Sequence, residues 1–135
     1  MTESRINTST NFWIREERSV KRPNSRSGKI KLERLLKEMP YKDFLKSDHW
    51  RKTKENARKL GKYKECYCCG SKDKNLHLHH TTYRYKGTRM ERKQCLHLVC
   101  VCPLCHYEIH QLAENAPMGV RKATNLIKDS KRKNN

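Results

Sequence analysis

The first half of the chain has the apolar spacing of two amphipathic helices. In residues 29–39 apolar side chains recur every three or four positions, which is the period of a helix that buries one face. These side chains are Leu32, Leu35, Leu36 and Met39. Pro40 ends this helix because proline has no backbone N–H to donate. A second helix is predicted for residues 48–60, between a capping signal at Ser47 and a stop signal at Gly61.

The second half of the chain changes to the period of a sheet. Residues 76–79 alternate between leucine and histidine, as a half-buried strand does, and residues 96–101 alternate in the same way. A polar, basic loop at residues 81–94 joins these segments, which we expect to pair as antiparallel strands. Pro103 suits the first turn of a helix that runs to about residue 115. The pattern therefore predicts a small α+β fold.

Four segments follow from this pattern. Residues 1–28 are polar and basic and are predicted to form a flexible arm, followed by the short amphipathic helix and linker at residues 29–40. Residues 41–115 contain the strands and the helix of the single folded domain, and residues 116–135 form a basic C-terminal tail. A chain of 135 residues has room for one domain with such extensions.

The composition adds a strong positive charge and a small core. Lys and Arg outnumber Asp and Glu by 32 to 14, a net charge of +18, and such a field attracts polyanions, nucleic acid first. Only 34% of the residues are hydrophobic, and small cores commonly need a metal staple. No stretch approaches the length of a membrane span, and the N-terminus has no apolar signal region. We therefore expect a cytoplasmic protein that does not contact a membrane.

Four of the cysteines are spaced as metal ligands. Cys66 and Cys69 form one C-x-x-C pair, and Cys102 and Cys105 form another. Four thiolates in two such pairs suit a closed tetrahedral Zn²⁺ site, which is structural. The total of seven cysteines is odd, which favours thiolate ligands in a reducing compartment over disulfides. The alternative is a set of reduced structural cysteines without a metal.

A second set of candidate ligands is interleaved with the cysteines. His79 and His80 lie between the two cysteine pairs, His106 follows the last cysteine, and His110 lies one helical turn later. Several histidines beside a tetrathiolate site can hold a second metal with open coordination positions, which is the catalytic kind. A zinc finger with a single metal would not need both sets.

These motifs together resemble those of the HNH nuclease family. The segments that carry the resemblance are Cys66-x-x-Cys69-Gly70, Leu78-His79-His80, His97-Leu98 and Cys102-x-x-Cys105-His106-x-x-x-His110. The resemblance covers roughly residues 41–113 and leaves both ends of the chain outside. It implies a ββα-metal finger, in which two antiparallel strands and a helix surround one catalytic divalent ion. Here the finger would be stapled by zinc and preceded by one or two helices.

The resemblance also implies a role for each histidine. His79, His106 and His110 would bind the catalytic ion, Mg²⁺ or another divalent metal, and His80 would be the general base, for which an imidazole has a suitable pKa. Because successive strand residues point to opposite faces, we expect the chain to turn sharply after His79 so that both residues can serve one phosphate. The implied reaction is hydrolysis of a phosphodiester bond in DNA.

One position departs from the family pattern. His97 stands where the family has a central asparagine that hydrogen-bonds across the loop and holds the base in place. An imidazole N–H can donate one such bond but cannot reproduce the paired donor and acceptor of an amide. We therefore expect His97 to assist the base by a weaker contact of the same kind.

The loop that follows the base supplies candidate contacts to the nucleic-acid backbone. These residues are Arg84, Lys86, Arg89, Arg92 and Lys93. Two other functions stay open: a non-catalytic zinc-containing nucleic-acid-binding module, in which His97 marks decay of the site, and an HNH-type ribonuclease, since nothing in the catalytic scheme excludes a 2′-OH. His49 is predicted to be an exposed helix residue. The role of His77 stays undecided, with a surface position favoured over a contact near His79.

Overall fold

The computed structural model describes residues 12–116 and 118–133 as a small α+β protein. In chain order the helices are α1 (residues 12–19), α2 (Arg26–Glu38), α3 (Tyr41–Phe44), α4 (Asp48–Lys59), α5 (Arg89–Gln94), α6 (Pro103–Asn115) and α7 (Val120–Lys133). The strands are β1 (His77–His80), between α4 and α5, and β2 (Leu98–Val101), between α5 and α6. The described residues divide into two compact units, one of 12–56 with 86–94, the other of 57–85, 95–116 and 118–133.

The first unit is organised around the start of α4. The carboxylate of Glu17 in α1 accepts hydrogen bonds from the backbone N–H groups of Asp48 (2.9 Å) and His49 (2.8 Å). These are donors that the first turn of a helix leaves unpaired, and the helix dipole favours a negative charge there. The ring of Phe44 is buried, and its centroid lies 5.5 Å from that of His49 and 5.6 Å from that of Trp50. Residues 12–19 are therefore a packed helix, whereas we expected the whole of 1–28 to be a flexible arm.

His49 is buried, and the prediction that it lies on the surface is wrong. Its Nε2 lies 2.9 Å from Oε1 of the buried Glu91, and its Nδ1 lies 3.3 Å from Nη1 of Arg92. Because a guanidinium can only donate, Nδ1 is the acceptor and Nε2 carries the hydrogen that is donated to Glu91. The partners of His49 come from a distant segment, so the sequence around α4 could not reveal them.

The loop predicted at residues 81–94 ends in a helix, α5, which belongs to the first unit. Gly87 allows the chain to pass close to α2 just before this helix. Its φ is 82°, and a Cβ atom at this position would lie 2.7 Å from Cβ of Leu36, so that a residue with a side chain would clash as well as be strained. The side chain of Glu91 accepts a hydrogen bond from the Gly87 backbone N–H at 3.0 Å.

The second unit contains the sheet, and the predicted antiparallel pairing of its two strands is confirmed. The register places His77 opposite Val101 and His80 opposite Leu98. Strand β2 begins only at Leu98, because Cys95 and His97 have φ values of 52° and 61°, which extended strands do not adopt. Helix α6 packs against β1 and begins at Pro103, as predicted.

Residues 120–133 form helix α7, where a basic tail was predicted. Ala123 and Thr124 are completely buried, and α7 packs on α6. The small and β-branched residues of α7 lie at helical spacing among many lysines and arginines, and the charges hid this pattern. The predictions for residues 1–11, 117, 134 and 135 lie outside the described residues.

Candidate metal centres

The four predicted cysteine ligands lie together in the second unit. The sulfurs of Cys66, Cys69, Cys102 and Cys105 are within 4.8 Å of one another. In each C-x-x-C turn the first sulfur accepts a hydrogen bond from the backbone N–H of the second cysteine, at 3.5 Å in both pairs. Cys102 is also the N-cap of α6, where the helix dipole favours a thiolate. The group is therefore positioned to bind a metal such as zinc.

The four thiols differ in acidity. Burial raises the pKa of Cys66, but backbone N–H groups of Cys69, Cys102 and Cys68 outweigh it and bring this pKa to about 7. Burial and the neighbouring sulfurs raise the pKa of Cys105. Without a cation, four adjacent thiolates would repel one another. A Zn²⁺ ion favours the thiolate form of coordinating thiols and offsets the repulsion between their charges.

Three of the predicted histidines form a second cluster in the same unit. The ligand nitrogens of His79, His106 and His110 lie within 4.8 Å of one another. His79 belongs to β1, and the other two lie one turn apart on one face of α6, with their Nε2 atoms 3.1 Å apart. The ring centroid of His79 is 5.0 Å from that of His106 and 5.4 Å from that of His110. The packing of α6 on β1 brings the three rings together.

Burial disfavours the charged form of the histidines in this cluster. Burial, with the neighbouring imidazoles, lowers the pKa of His79 to about 3 and that of His106 to about 4. Burial lowers the pKa of His110 as well. Neutral imidazoles are the form that binds metals, and nitrogen ligands suit zinc and other transition metals, whereas Mg²⁺ prefers oxygen. The donor set therefore fits a transition-metal ion better than the Mg²⁺ that we named first.

Two further residues contact the histidine cluster. Nε2 of His79 lies 2.9 Å from Oγ1 of Thr124 in α7, and Nδ1 of His106 lies 3.0 Å from Nδ1 of His77 in β1. His77 is exposed, as predicted, but its ring also packs edge-on against that of His106. Strand alternation, which places residues 77 and 79 on one face, was the available signal for His77. Thr124 was not among the predicted site residues because α7 was not predicted.

His80, the predicted base, is the buried last residue of β1. The expected sharp turn after His79 is not present: both residues belong to the strand and pair with consecutive residues of β2. Their side chains are therefore directed to opposite faces of the sheet. The ring of His80 lies 5.3 Å from that of Tyr83 in the following loop.

His97 braces the same loop through its main chain. Its carbonyl accepts hydrogen bonds from the backbone N–H and from Oγ1 of Thr81, both at 2.9 Å. Its imidazole stacks on the ring of Tyr85, with centroids 5.2 Å apart and planes within 9°. We expected a side-chain contact across the loop, but here the carbonyl of residue 97 makes that contact. The φ of 61° is a conformation that asparagine and histidine adopt more readily than most residues.

Three of the five predicted nucleic-acid contacts are exposed. Arg84 belongs to the second unit, and its guanidinium lies 5.5 Å from the ring of Tyr85. Arg89 and Lys93 are exposed on α5 in the first unit. All three side chains are accessible to a phosphate, so they remain candidates.

The other two predicted contacts serve the interior of the first unit. Lys86 donates to the carbonyl of Met39 at 3.1 Å, its Nζ lies 4.8 Å from the ring of Phe44, and burial lowers its pKa. Arg92 is half-buried beside His49, and burial lowers its pKa too. These two side chains are committed to internal contacts, which makes them weaker candidates for binding a phosphate.

Comparison with protein-family models, with curated proteins and with solved structures found no match for this chain. Within residues 12–116 and 118–133 no helix has both the length and the apolar composition needed to cross a membrane. The features of the chain that indicate a function are the chemistry of its two clusters of candidate ligands and its charge.

Proposed function

We propose that this chain is a metal-dependent endonuclease of the HNH type that hydrolyses phosphodiester bonds in DNA. The observation that carries the proposal is the presence of two ligand clusters in one unit, one of four thiols and one of three imidazoles. A tetrathiolate is a complete site that supports a fold, whereas three protein ligands leave a position for water or substrate. A protein that needed a metal only for folding would have no use for the second, incomplete set.

In this proposal β1, β2 and α6 form a ββα-metal finger. Strand β1 supplies His79, and α6 supplies His106 and His110. The same helix begins at the cysteine pair of residues 102 and 105, so that a zinc ion bound there would fix the start of the helix that carries two of the histidines. The order of strand, loop, strand and helix is the one that the resemblance to HNH nucleases requires.

The proposed reaction assigns a role to the metal ion, to His80 and to His97. A divalent ion at this cluster would stabilise charge on the phosphate and on the leaving oxygen. His80 would accept the proton of the attacking water. His97 would act as a positioning residue, because its carbonyl holds Thr81 directly after the base.

The charge of the chain favours a nucleic acid as the substrate. The net charge is +18, and phosphate contacts supply most of the sequence-independent affinity for nucleic acids. Arg84 is exposed in the loop after His80, and Tyr83 beside it exposes a ring that can stack on a base or a sugar.

A non-catalytic zinc-containing nucleic-acid-binding module is the second candidate, and one observation favours it. Because β1 continues through His80, the side chains of His79 and His80 are directed to opposite faces of the strand. The proposed hydrolysis needs both side chains near one phosphate. An HNH-type ribonuclease would use the same groups as the proposed endonuclease and would differ from it in substrate alone.

Cleavage assays on three substrates separate these candidates. Supercoiled plasmid, linear duplex DNA and structured RNA are incubated with zinc-loaded protein and added Mn²⁺, Zn²⁺ or Mg²⁺, with and without chelator. The proposal predicts nicked or linear plasmid with a transition-metal ion and loss of cleavage with chelator. Cleavage of RNA alone would identify the ribonuclease. Binding without cleavage of any substrate, with every ion, would identify the binding module.

A further inference from the structure

Thr124 contacts the histidine cluster from helix α7, outside the segments that resemble HNH nucleases. Its side chain is completely buried, and its Oγ1 lies 2.9 Å from Nε2 of the buried His79. A fully buried hydroxyl in the interior of a helix normally donates a hydrogen bond to a backbone carbonyl of the preceding turn. Here the hydroxyl makes that bond and a second one to a predicted metal ligand.

The directions of these two hydrogen bonds follow from the single hydrogen of a hydroxyl group. The hydroxyl of Thr124 donates to the carbonyl of Val120 at 2.7 Å. It can then act toward His79 only as an acceptor. Nε2 of His79 must therefore carry the ring hydrogen, and in a neutral imidazole this leaves the lone pair on Nδ1.

We propose that Thr124 is a positioning residue for the histidine cluster, which fixes His79 in the tautomer and ring orientation that offer Nδ1 to the metal. Metal-binding histidines commonly donate their second ring N–H to an oxygen of the protein, and loss of that oxygen weakens the site. The inference assumes the metal site of the proposed function but does not require nuclease activity.

Contacts along α7 hold Thr124 at this position. The carbonyl of Thr124 lies 3.9 Å from Sγ of Cys68, within the first C-x-x-C turn. Nearer the C-terminal end of α7, the guanidinium of Arg132 donates hydrogen bonds to the carbonyls of Cys68 and Tyr67, both at 3.1 Å. Helix α7 is thus attached to the cysteine turn by its main chain and by Arg132, while the hydroxyl of Thr124 reaches the histidine cluster.

The tautomer can be observed directly. Long-range ¹⁵N–¹H NMR correlations of the imidazole rings distinguish hydrogen on Nε2 from hydrogen on Nδ1, and the signals of His79 are assigned by their loss in His79→Gln. The protein carries zinc in its four-cysteine site and no added second metal. We expect His79 to have its hydrogen on Nε2 in the wild type and in Thr124→Ser, and to become a mixture of tautomers in Thr124→Val. Hydrogen on Nδ1 in the wild type would overturn the inference.

The metal affinity of the histidine cluster gives the second readout. Calorimetric titration of Zn²⁺ into protein whose four-cysteine site is already filled should show binding that is lost in His106→Ala. Thr124→Val keeps the shape of the side chain and should weaken this binding by about 10–100-fold, the usual effect of losing such a contact, while Thr124→Ser should restore it. Unchanged affinity in Thr124→Val, or equal losses in both variants, would overturn the inference. Cleavage is not measured, so a protein without nuclease activity can still confirm the role of Thr124.

Discussion

His97 adopts a φ of 61°, which costs most residues about 1–2 kcal/mol because Cβ crowds the following carbonyl oxygen. Asparagine and histidine tolerate this conformation better than other residues with side chains. The carbonyl of His97, which holds Thr81, is aimed by that backbone conformation and not by the imidazole. The backbone conformation at residue 97 is therefore one that both histidine and asparagine tolerate.

Two substitutions at this residue test the backbone explanation. His97→Ala should lower the free energy of unfolding by about 1 kcal/mol, because alanine is strained at this φ and cannot stack on Tyr85. His97→Asn should lose only the stacking and lie closer to the wild type. The measurement is urea unfolding of zinc-loaded protein. Equal destabilisation by both substitutions would mean that the contribution of His97 to stability comes from the stacked imidazole and not from the backbone conformation.

The candidate ligands could be recognised in the sequence because the spacing within each pair is local. A C-x-x-C turn brings two sulfurs together wherever it occurs, and residues 106 and 110 must share a helix face. Three other side chains depend on packing between segments far apart in sequence, and local patterns do not encode such packing. These are Thr124, which reaches His79 from α7, His49, which is buried against Glu91, and His77, which contacts His106.

Helix α7 is the element that changes the predicted organisation most. Residues 116–135 were expected to be a tail, yet Ala123 and Thr124 are fully buried. The strands and α6 were predicted well because alternation and a proline at the helix start are strong signals. In α5 and α7 the apolar residues lie among many charges, which hid their helical spacing, and the packing of neighbouring elements supports the folding of these segments.

A matched pair of substitutions tests whether residues 120–133 form a packed helix or an unpacked tail. Ala123→Asp would bury an unpaired carboxylate at a cost of about 2 kcal/mol or more, which corresponds to about 8–16 °C in Tm for a unit of this size. Lys122→Asp introduces the same side chain at the exposed neighbouring position and should change Tm little. Thermal unfolding of zinc-loaded protein measures both, and equal effects would contradict the packing of α7.

The four-cysteine cluster should supply much of the folding free energy of the second unit, because metal binding to such sites is coupled to folding. Cys66→Ser should lose about one zinc per chain and much of the helical circular dichroism. Cys68→Ser is the control, since Cys68 is buried between the two ligands of the same turn but is not one of the four. Metal analysis and circular dichroism provide the readouts. A folded wild-type protein after complete removal of zinc would contradict the account.

The net charge of +18 should govern the affinity of the chain for nucleic acid. The logarithm of the binding constant should fall linearly with the logarithm of salt concentration, with a slope that shrinks by about 0.9 for each phosphate contact removed. Arg89→Gln and Lys93→Gln remove exposed charges on α5 and should each reduce the slope.

Lys86→Gln is the control for this experiment, because Lys86 is tied to Met39 and Phe44 within the first unit. It should affect stability and leave the slope unchanged. A slope that does not respond to the two α5 substitutions would mean that these exposed charges do not contact phosphates.

Two histidine variants test whether hydrolysis takes place at the histidine cluster. Plasmid cleavage rates are measured for wild type, His80→Ala and His106→Ala over a range of Mn²⁺ concentrations, at equal zinc content. His80→Ala should cleave about 10²–10⁴-fold more slowly at every Mn²⁺ concentration, because a positioned base is missing. His106→Ala should be inactive at low Mn²⁺ and recover in part at high Mn²⁺, because its defect is metal affinity. Cleavage by both variants at the wild-type rate would contradict the assignment of the active site to this cluster.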